Sequence, residues 1–255
     1  MDVLARIREG KRVTDLTGSV GNDIWEVVRQ GESEEHLLRA RYAERGDQMI
    51  VLKVPEFIFS ITETDSMIDK VRKYPAMIVD LRGNPGGSVE TLKNLIGGMF
   101  DKEVKIADRV GRKETKPEVA KAGHHPFSGK LVVLVDSRSA SAAELFARVV
   151  QLEKRGLVVG DRTSGSVMEA KHYNEKLGLD TVIFYGASVT EWDLIMADGK
   201  SLEHNGVTPD EIVLPTAKDL ASGSDPVMAR AAEMLGVKLS PEEAGKLFPY
   251  EWPPD

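Results

Sequence analysis

The chain has 255 residues, 41% apolar and 29% charged, with a net charge of −7 and no cysteine. That length and composition suit one large α/β domain or two small ones with a substantial core. The acidic balance excludes general nucleic-acid binding, the missing cysteines exclude disulfides, thiolate metal sites and cysteine nucleophiles, and no apolar run reaches membrane-spanning length.

The N-terminus, MDVLARIREGKRVTDLTG, lacks the apolar centre of a signal peptide. Val3, Ala5 and Ile7 alternate like the closing strand of something already under way, so a chain cut from a longer protein is expected. Up to about residue 48 the sequence is polar and predicts an edge strand, a loop and one short helix. From Met49 buried strands and amphipathic helices alternate, which implies α/β layering. MIVLKVPEF is a strand, TETDSMIDKVRKY a helix opening near a Thr/Asp cap, and AMIVDLRGNPGG a buried strand entering a glycine turn. SVETLKNLIGGMF is the helix after that turn. Residues 108–129 hold Pro117, Pro126 and many charges and predict a surface excursion. KLVVLVDS is the next buried strand, LVVGDRTSG another strand and turn, and DTVIFYGASVT with DLIMADG predicts two antiparallel strands. Asp225-Pro226 opens a last helix with a cap and Pro at N1, and Gly236 closes it. Residues 237–255, ending in FPYEWPPD, are assigned to a Pro-rich C-terminal arm. There is no internal repeat.

The stretch LVVLVDSRSASAAELFARVV contains the most informative serine. Ser141 to Glu144 fits the S-x-x-E capping box, and Leu145, Val149 and Leu152 then share one helix face. Ser141 is thus either a cap or a nucleophile at a helix N-terminus, whose partial positive charge stabilises an alkoxide. Three strands end at related turns, DLRGNPGG, DSRSASAAE and GDRTSGS, and ligands of α/β sheets collect beyond the carboxyl ends of strands. Gly83, Gly86 and Gly87 let the backbone bend so that N–H groups point into open space. Two such groups converging on one point make an oxyanion hole.

In their order, DLRGNPGG, LVVLVDSRSASAAE, VVGDRTSG and EHNGVTPDE resemble the C-terminal processing (tail-specific) serine proteases and the tricorn protease core, over about residues 49–214. The resemblance implies a ClpP/crotonase-like layered α/β fold and a serine endopeptidase acting on polypeptides, with no cofactor and no metal. It divides the chain into 1–48, the end of a PDZ-like domain and a linker, 49–236, the catalytic domain, and 237–255, the arm. Ser141 carries over as nucleophile, and the backbone N–H of Ala142 with one from Gly86 or Gly87 as the oxyanion hole. An extracytoplasmic place for the full-length protein is implied, with the cytoplasm left open, and so is homo-oligomerisation left open.

The departures from the pattern place the chain nearer the tricorn branch. Tail-specific proteases put a general-base Lys after the glycine of a T-x-G-K-G turn, and here Ser166 stands in that place. A serine cannot act as a base near pH 7. If Val167 to Tyr173 is a strand, Lys171 faces away from Ser166 and lies roughly 16 Å off. The tricorn branch uses Ser-His-Glu with the Glu in an E-N-x-G-V-x-P-D turn, which Glu203 to Asp210 matches with His204 in place of Asn. Glu203 is then the carboxylate that orients an imidazole. Of the five histidines, His36, His124 and His125 lie in charged surface stretches, and the His204 side chain should diverge from Glu203 on extended backbone. His172 shares a face with Ser166 but stands roughly 20 Å away, so Ser166 and His172 remain secondary candidates. The base is expected upstream of this chain. Two other readings stay open, a pseudoprotease kept as a peptide- or hydrophobic-ligand-binding module and a crotonase-type acyl-CoA enzyme, which would not need Ser141.

Overall fold

Runs such as Met49–Lys53 and Ala76–Asp80 bury side chains on both strand faces, which suits the inside of a parallel sheet covered on both sides. The computed structural model describes residues 38–177 and 183–248. The chain divides into two units, Met1–Arg39 and Ala40–Asp255, and the elements below belong to the second. The expected PDZ-like end, up to residue 37, lies outside the described residues.

The main sheet contains β1 (Arg41–Arg45), β2 (Met49–Lys53), β3 (Ala76–Asp80), β6 (Lys130–Val135), β7 (Leu157–Gly160) and β10 (Glu211–Ile212), in the order β1-β2-β3-β6-β7-β10. Every pairing is parallel except β1 with β2. Strand alternation sorts the core into two layers. Ile50, Leu52, Met77, Val79, Val133 and Val135 face α1 (Ile61–Val71), α2 (Val89–Gly97) and α3 (Ala142–Leu152). Met49, Val51, Ile78, Val132 and Leu134 face α5 (Pro226–Met234) and the segment carrying α6 (Pro241–Gly245). Between Ile212 and α5 the short helix α4 (Ala217–Ser222) buries none of its residues.

A second, antiparallel sheet has the order β5-β4-β9-β8, from β4 (Val104–Val110), β5 (Thr115–Ala120), β8 (Glu169–Leu177) and β9 (Ile183–Met196). Two expectations change here. The stretch 108–129 is not a bare excursion, because it completes β4 and forms β5. Pro117 is tolerated because β5 is an edge strand, where a missing N–H leaves no ladder bond broken. The two strands expected from 180 to 199 are one strand, β9, since no turn-forming pair interrupts the β-branched and aromatic run through Thr190 and Trp192. Only the last part of β9, residues 193–196, pairs with β4; the rest forms a two-stranded ribbon with β8.

Residues 41–45, within the stretch 1–48, form the edge strand of the main sheet. Beyond residue 236, Val237, Leu239 and Ala244 are buried, so this part of the expected arm packs onto the sheet before the chain leaves the described region at Phe248. At α5 the Asp225 carboxylate accepts the Met228 N–H as expected, whereas α1 opens with a box of Ser60 and Glu63 rather than at the expected Thr/Asp cap.

That same Asp225 closes a buried charge cluster at the end of β3. Asp80, fully buried, accepts from Arg82 Nε at 2.9 Å, Arg82 Nη2 at 2.9 Å and Lys53 Nζ at 3.2 Å. Arg82 turns its other side to Asp225, with Nη1 and Nη2 donating at 2.9 and 2.7 Å. Burial alone would raise the Asp80 pKa, but the charges of Arg82 and Lys53 and their hydrogen bonds outweigh it and hold the carboxyl well below the usual carboxylate range. The folded-state pKa lies below the unfolded value of about 3.9, so the cluster contributes fully above that value and its contribution is lost as the pH falls toward the folded one. Arg82→Met should cost about 3–5 kcal/mol at neutral pH, since it leaves Asp80 with much of its counter-charge removed. In urea unfolding, the gap between wild type and Asp80→Asn should narrow steadily as the pH drops below about 4. A gap independent of pH would mean that Asp80 is not held ionised by its neighbours.

Candidate active site

The loops after β3, β6 and β7 meet above the carboxyl ends of three neighbouring parallel strands. Ser141 opens α3 with φ 52° and ψ −118°, a left-handed backbone that costs a non-glycine residue of order 1–3 kcal/mol. Its hydroxyl makes no side-chain cap bond. Instead the Glu144 N–H donates to the Ser141 carbonyl at 2.9 Å, and the Glu144 carboxylate accepts the Ser141 N–H at 3.0 Å. The capping position is therefore real, but the serine oxygen is not used for it.

Glu144 does more than return a cap. Its side chain is fully buried and accepts from Gly165 N at 2.8 Å, Ser166 N at 3.0 Å and the Thr163 hydroxyl as well as from Ser141. The Ser166 carbonyl in turn accepts the Ser141 N–H at 2.9 Å. Thr163 Oγ1 takes the Val207 N–H at 2.6 Å and extends the tie to the 202–207 turn. One carboxylate thus fixes the serine turn against the turn 163–166.

The glycine turn packs directly on the serine. A Cβ at Gly86 would stand 2.6 Å from Ser141 Cβ and 3.0 Å from Ala142 N, and one at Gly87 2.4 Å from the Phe57 carbonyl oxygen. Both residues have positive φ, 103° and 133°, so only glycine fits on both counts. Their N–H groups differ in fate. The Gly86 N–H is buried and donates to Asn84 Oδ1 at 2.8 Å, while Asn84 Nδ2 donates to the Val54 carbonyl. The Gly86 proton is therefore already held. Gly87 is exposed, and among the described residues neither its N–H nor that of Ala142 has an acceptor. Asn84 was not singled out by the sequence; a buried amide two residues before a Gly-Gly pair was the only signal.

Glu203 Oε2 accepts from Val167 N at 2.7 Å and Met168 N at 3.2 Å, which sets the carboxylate beside the strand that leaves Ser166. Its Oε1 lies 4.0 Å from His204 Nε2. The two side chains do not diverge as expected, because His204 sits in a left-handed turn with φ 60° rather than on extended backbone. The imidazole is nonetheless 91% exposed. Among the described residues the Ser166 hydroxyl pairs only with that of Ser164, at 3.0 Å. His172 pairs with Ser188 across β8 and β9, about 13 Å of extended chain beyond Met168. The Lys171 ammonium lies 5.1 Å from the centre of the Tyr173 ring. Among the described residues no cluster of His, Asp and Glu is arranged to hold a metal.

The family model for peptidase family S41 matches residues 49–213. Over 170 residues the chain is 28% identical to the tail-specific protease of Haemophilus influenzae, covering 65% of this chain and 24% of that protein. Over 152 residues it is 33% identical to the carboxy-terminal processing protease CtpA of Bacillus subtilis, covering 58% and 31%. The chain thus spans less than a third of either relative. The crystal structure of the tricorn protease superposes with a TM-score of 0.55 at 19% identity, over 82% of this chain and 18% of that one, which is a likeness of fold. The matched stretch takes in the glycine turn, the serine turn, the turn 163–166 and Glu203, and on it the chain belongs to peptidase family S41.

Proposed function

We propose that this chain is the catalytic part of a serine endopeptidase with a ClpP/crotonase-like layering. The carrying observation is that a strained Ser141 packs against the glycine turn, and that the N–H groups of Gly87 in that turn and of Ala142 have no acceptor among the described residues. Ser141 Oγ attacks the peptide carbonyl carbon, and the two N–H groups hold the oxygen that becomes negative. The Oγ proton passes to an imidazole and from there to the leaving amine as the C–N bond breaks. Water then hydrolyses the acyl-enzyme and restores the serine. Glu203 orients the imidazole with its Oε1, Oε2 being engaged by backbone, and the histidine comes from a segment outside the described residues. A second reading, favoured by the 4.0 Å approach to Glu203, makes His204 that base. The family resemblance further suggests an extracytoplasmic setting.

Hydrolysis of casein or a fluorogenic peptide by the full-length protein should be abolished by Ser141→Ala without loss of fold, since no side-chain cap is removed. Full activity in a folded Ser141→Ala protein would end the proposal. Glu203→Gln should lower kcat by orders of magnitude, because an amide fails to stabilise the imidazolium. His204→Ala should leave activity intact on the first reading and remove it on the second. Absence of both hydrolysis and phosphonate labelling of Ser141 is the outcome expected of a pseudoprotease.

Replacing Glu144 by Gln turns an amide N–H₂ toward backbone donors. It should lower unfolding free energy by about 1–3 kcal/mol and slow phosphonate labelling of Ser141 in the remaining folded protein. Lys171→Ala should change neither rate, and a large loss there would restore a Ser-Lys dyad.

A further inference from the structure

Beside the glycine turn a cleft of about 730 Å³ opens between α1, α2 and the loop after β5, within the range of natural ligand sites. Its position relative to the serine is fixed by hydrogen bonds. Phe57 donates to the Gly86 carbonyl at 2.7 Å and accepts from Ser88 N at 2.6 Å, so the segment leading into α1 runs alongside the glycines. The Thr91 hydroxyl of α2 donates to the Phe59 carbonyl at 2.7 Å. α2 itself begins two residues after Gly87, and Ile61, the first residue of α1, lines the near end of the cleft. Ile61 is a large apolar residue left 62% exposed at that end. At the far end the Gly123 N–H donates to the Gly97 carbonyl at 2.9 Å and pins the loop bearing His124 and His125 to α2.

We infer that this cleft is a substrate groove that holds an extended stretch of polypeptide leading away from the scissile bond. The inference rests on the reading of Ser141 as nucleophile. The occupant follows from the lining. Apolar Ile61 and Ile68 and bare glycine backbone share the cleft with charges of both signs, the carboxylates Asp65, Asp69 and Glu90 and the ammonium groups of Lys93 and Lys121. A nucleic acid would require basic groups throughout, and an acyl chain would require an apolar wall without charges. Polypeptide, with apolar and charged side chains on one strand, suits both. The nine residues of α2 extend about 13 Å, room for about four extended residues.

Peptides of four to twelve residues, lengthened on each side of one cleavable bond, test this on the full-length protein. Wild-type kcat/KM should rise with length on one side and level off after about four added residues. Asn94→Trp, which fills the cleft from α2, should lower kcat/KM about tenfold for the long peptides, through KM, and leave short ones and phosphonate labelling of Ser141 unchanged. Ile61→Ser, at an exposed position, should act in the same direction. Binding of fluorescein-labelled long peptides to Ser141→Ala protein, followed by polarisation, reads the groove without cleavage. If that binding is length-dependent and weakened by Asn94→Trp while no form cleaves, the groove stands and the nucleophile reading falls. Equal losses for short and long peptides, or none, would overturn the groove. So would a change in self-association by Asn94→Trp with no effect of peptide length, which would assign the cleft to a second copy of the chain.

Discussion

The carboxylate of Glu144 lies inside the protein with four donors around it, three backbone N–H groups and one hydroxyl, and none of them carries a formal charge. A buried carboxylate needs compensation of that order, since leaving it bare costs far more than a neutral polar group would. Its place in the first turn of α3 adds the partial positive charge of the helix terminus. The result is a single anion that two separate turns must both approach in order to satisfy it. Ser141 adopts its left-handed backbone within that constraint. Without Glu144 the backbone bonds between the serine turn and the turn 163–166 would be two among the described residues, from Ser141 N to the Ser166 carbonyl and from Ser164 N to the Ser139 carbonyl.

The two buried acids among the described residues solve the same problem in opposite ways. Asp80 is surrounded by cations and belongs to an ion cluster spanning β2, β3 and the start of α5. Glu144 is surrounded by dipoles. An ion cluster is sensitive to the protonation of its members, whereas a ring of N–H donors stays fixed in charge over the whole working range of a protein. The framework beneath the glycine turn is thus tied by charge, and the serine turn by dipoles.

Much of the fold was legible because two-sided burial leaves an unmistakable apolar run, as in AMIVD and LVVLV. Caps at Asp225 and the box at Ser141 to Glu144 were readable for the same local reason. What failed was decided by partners far along the chain. S-x-x-E describes a cap equally well whether or not the Glu also receives three donors from twenty residues away. Gly86 and Gly87 are indistinguishable in sequence, and only the reach of the Asn84 amide makes one a spent donor and the other a free one. The divergence expected of Glu203 and His204 presumed extended backbone, which the left-handed turn at His204 breaks. β4 and β5 were hidden by their charges, because the outer sheet is half exposed and Pro117 sits harmlessly on its rim.

The clasp of Arg82 on Asp225 joins residues 143 positions apart, and it carries a consequence for the order of assembly during synthesis. Chains are made from the N-terminus, and domains fold as their parts emerge. β3 and the glycine turn leave the ribosome early, yet the guanidinium beside them gains its second carboxylate only when α5 has been made. The buried tail beyond residue 236 comes later still. Until then one face of the main sheet is uncovered and the base of the glycine turn is loosely held. A nascent chain therefore carries Ser141 well before the second face of the main sheet is covered.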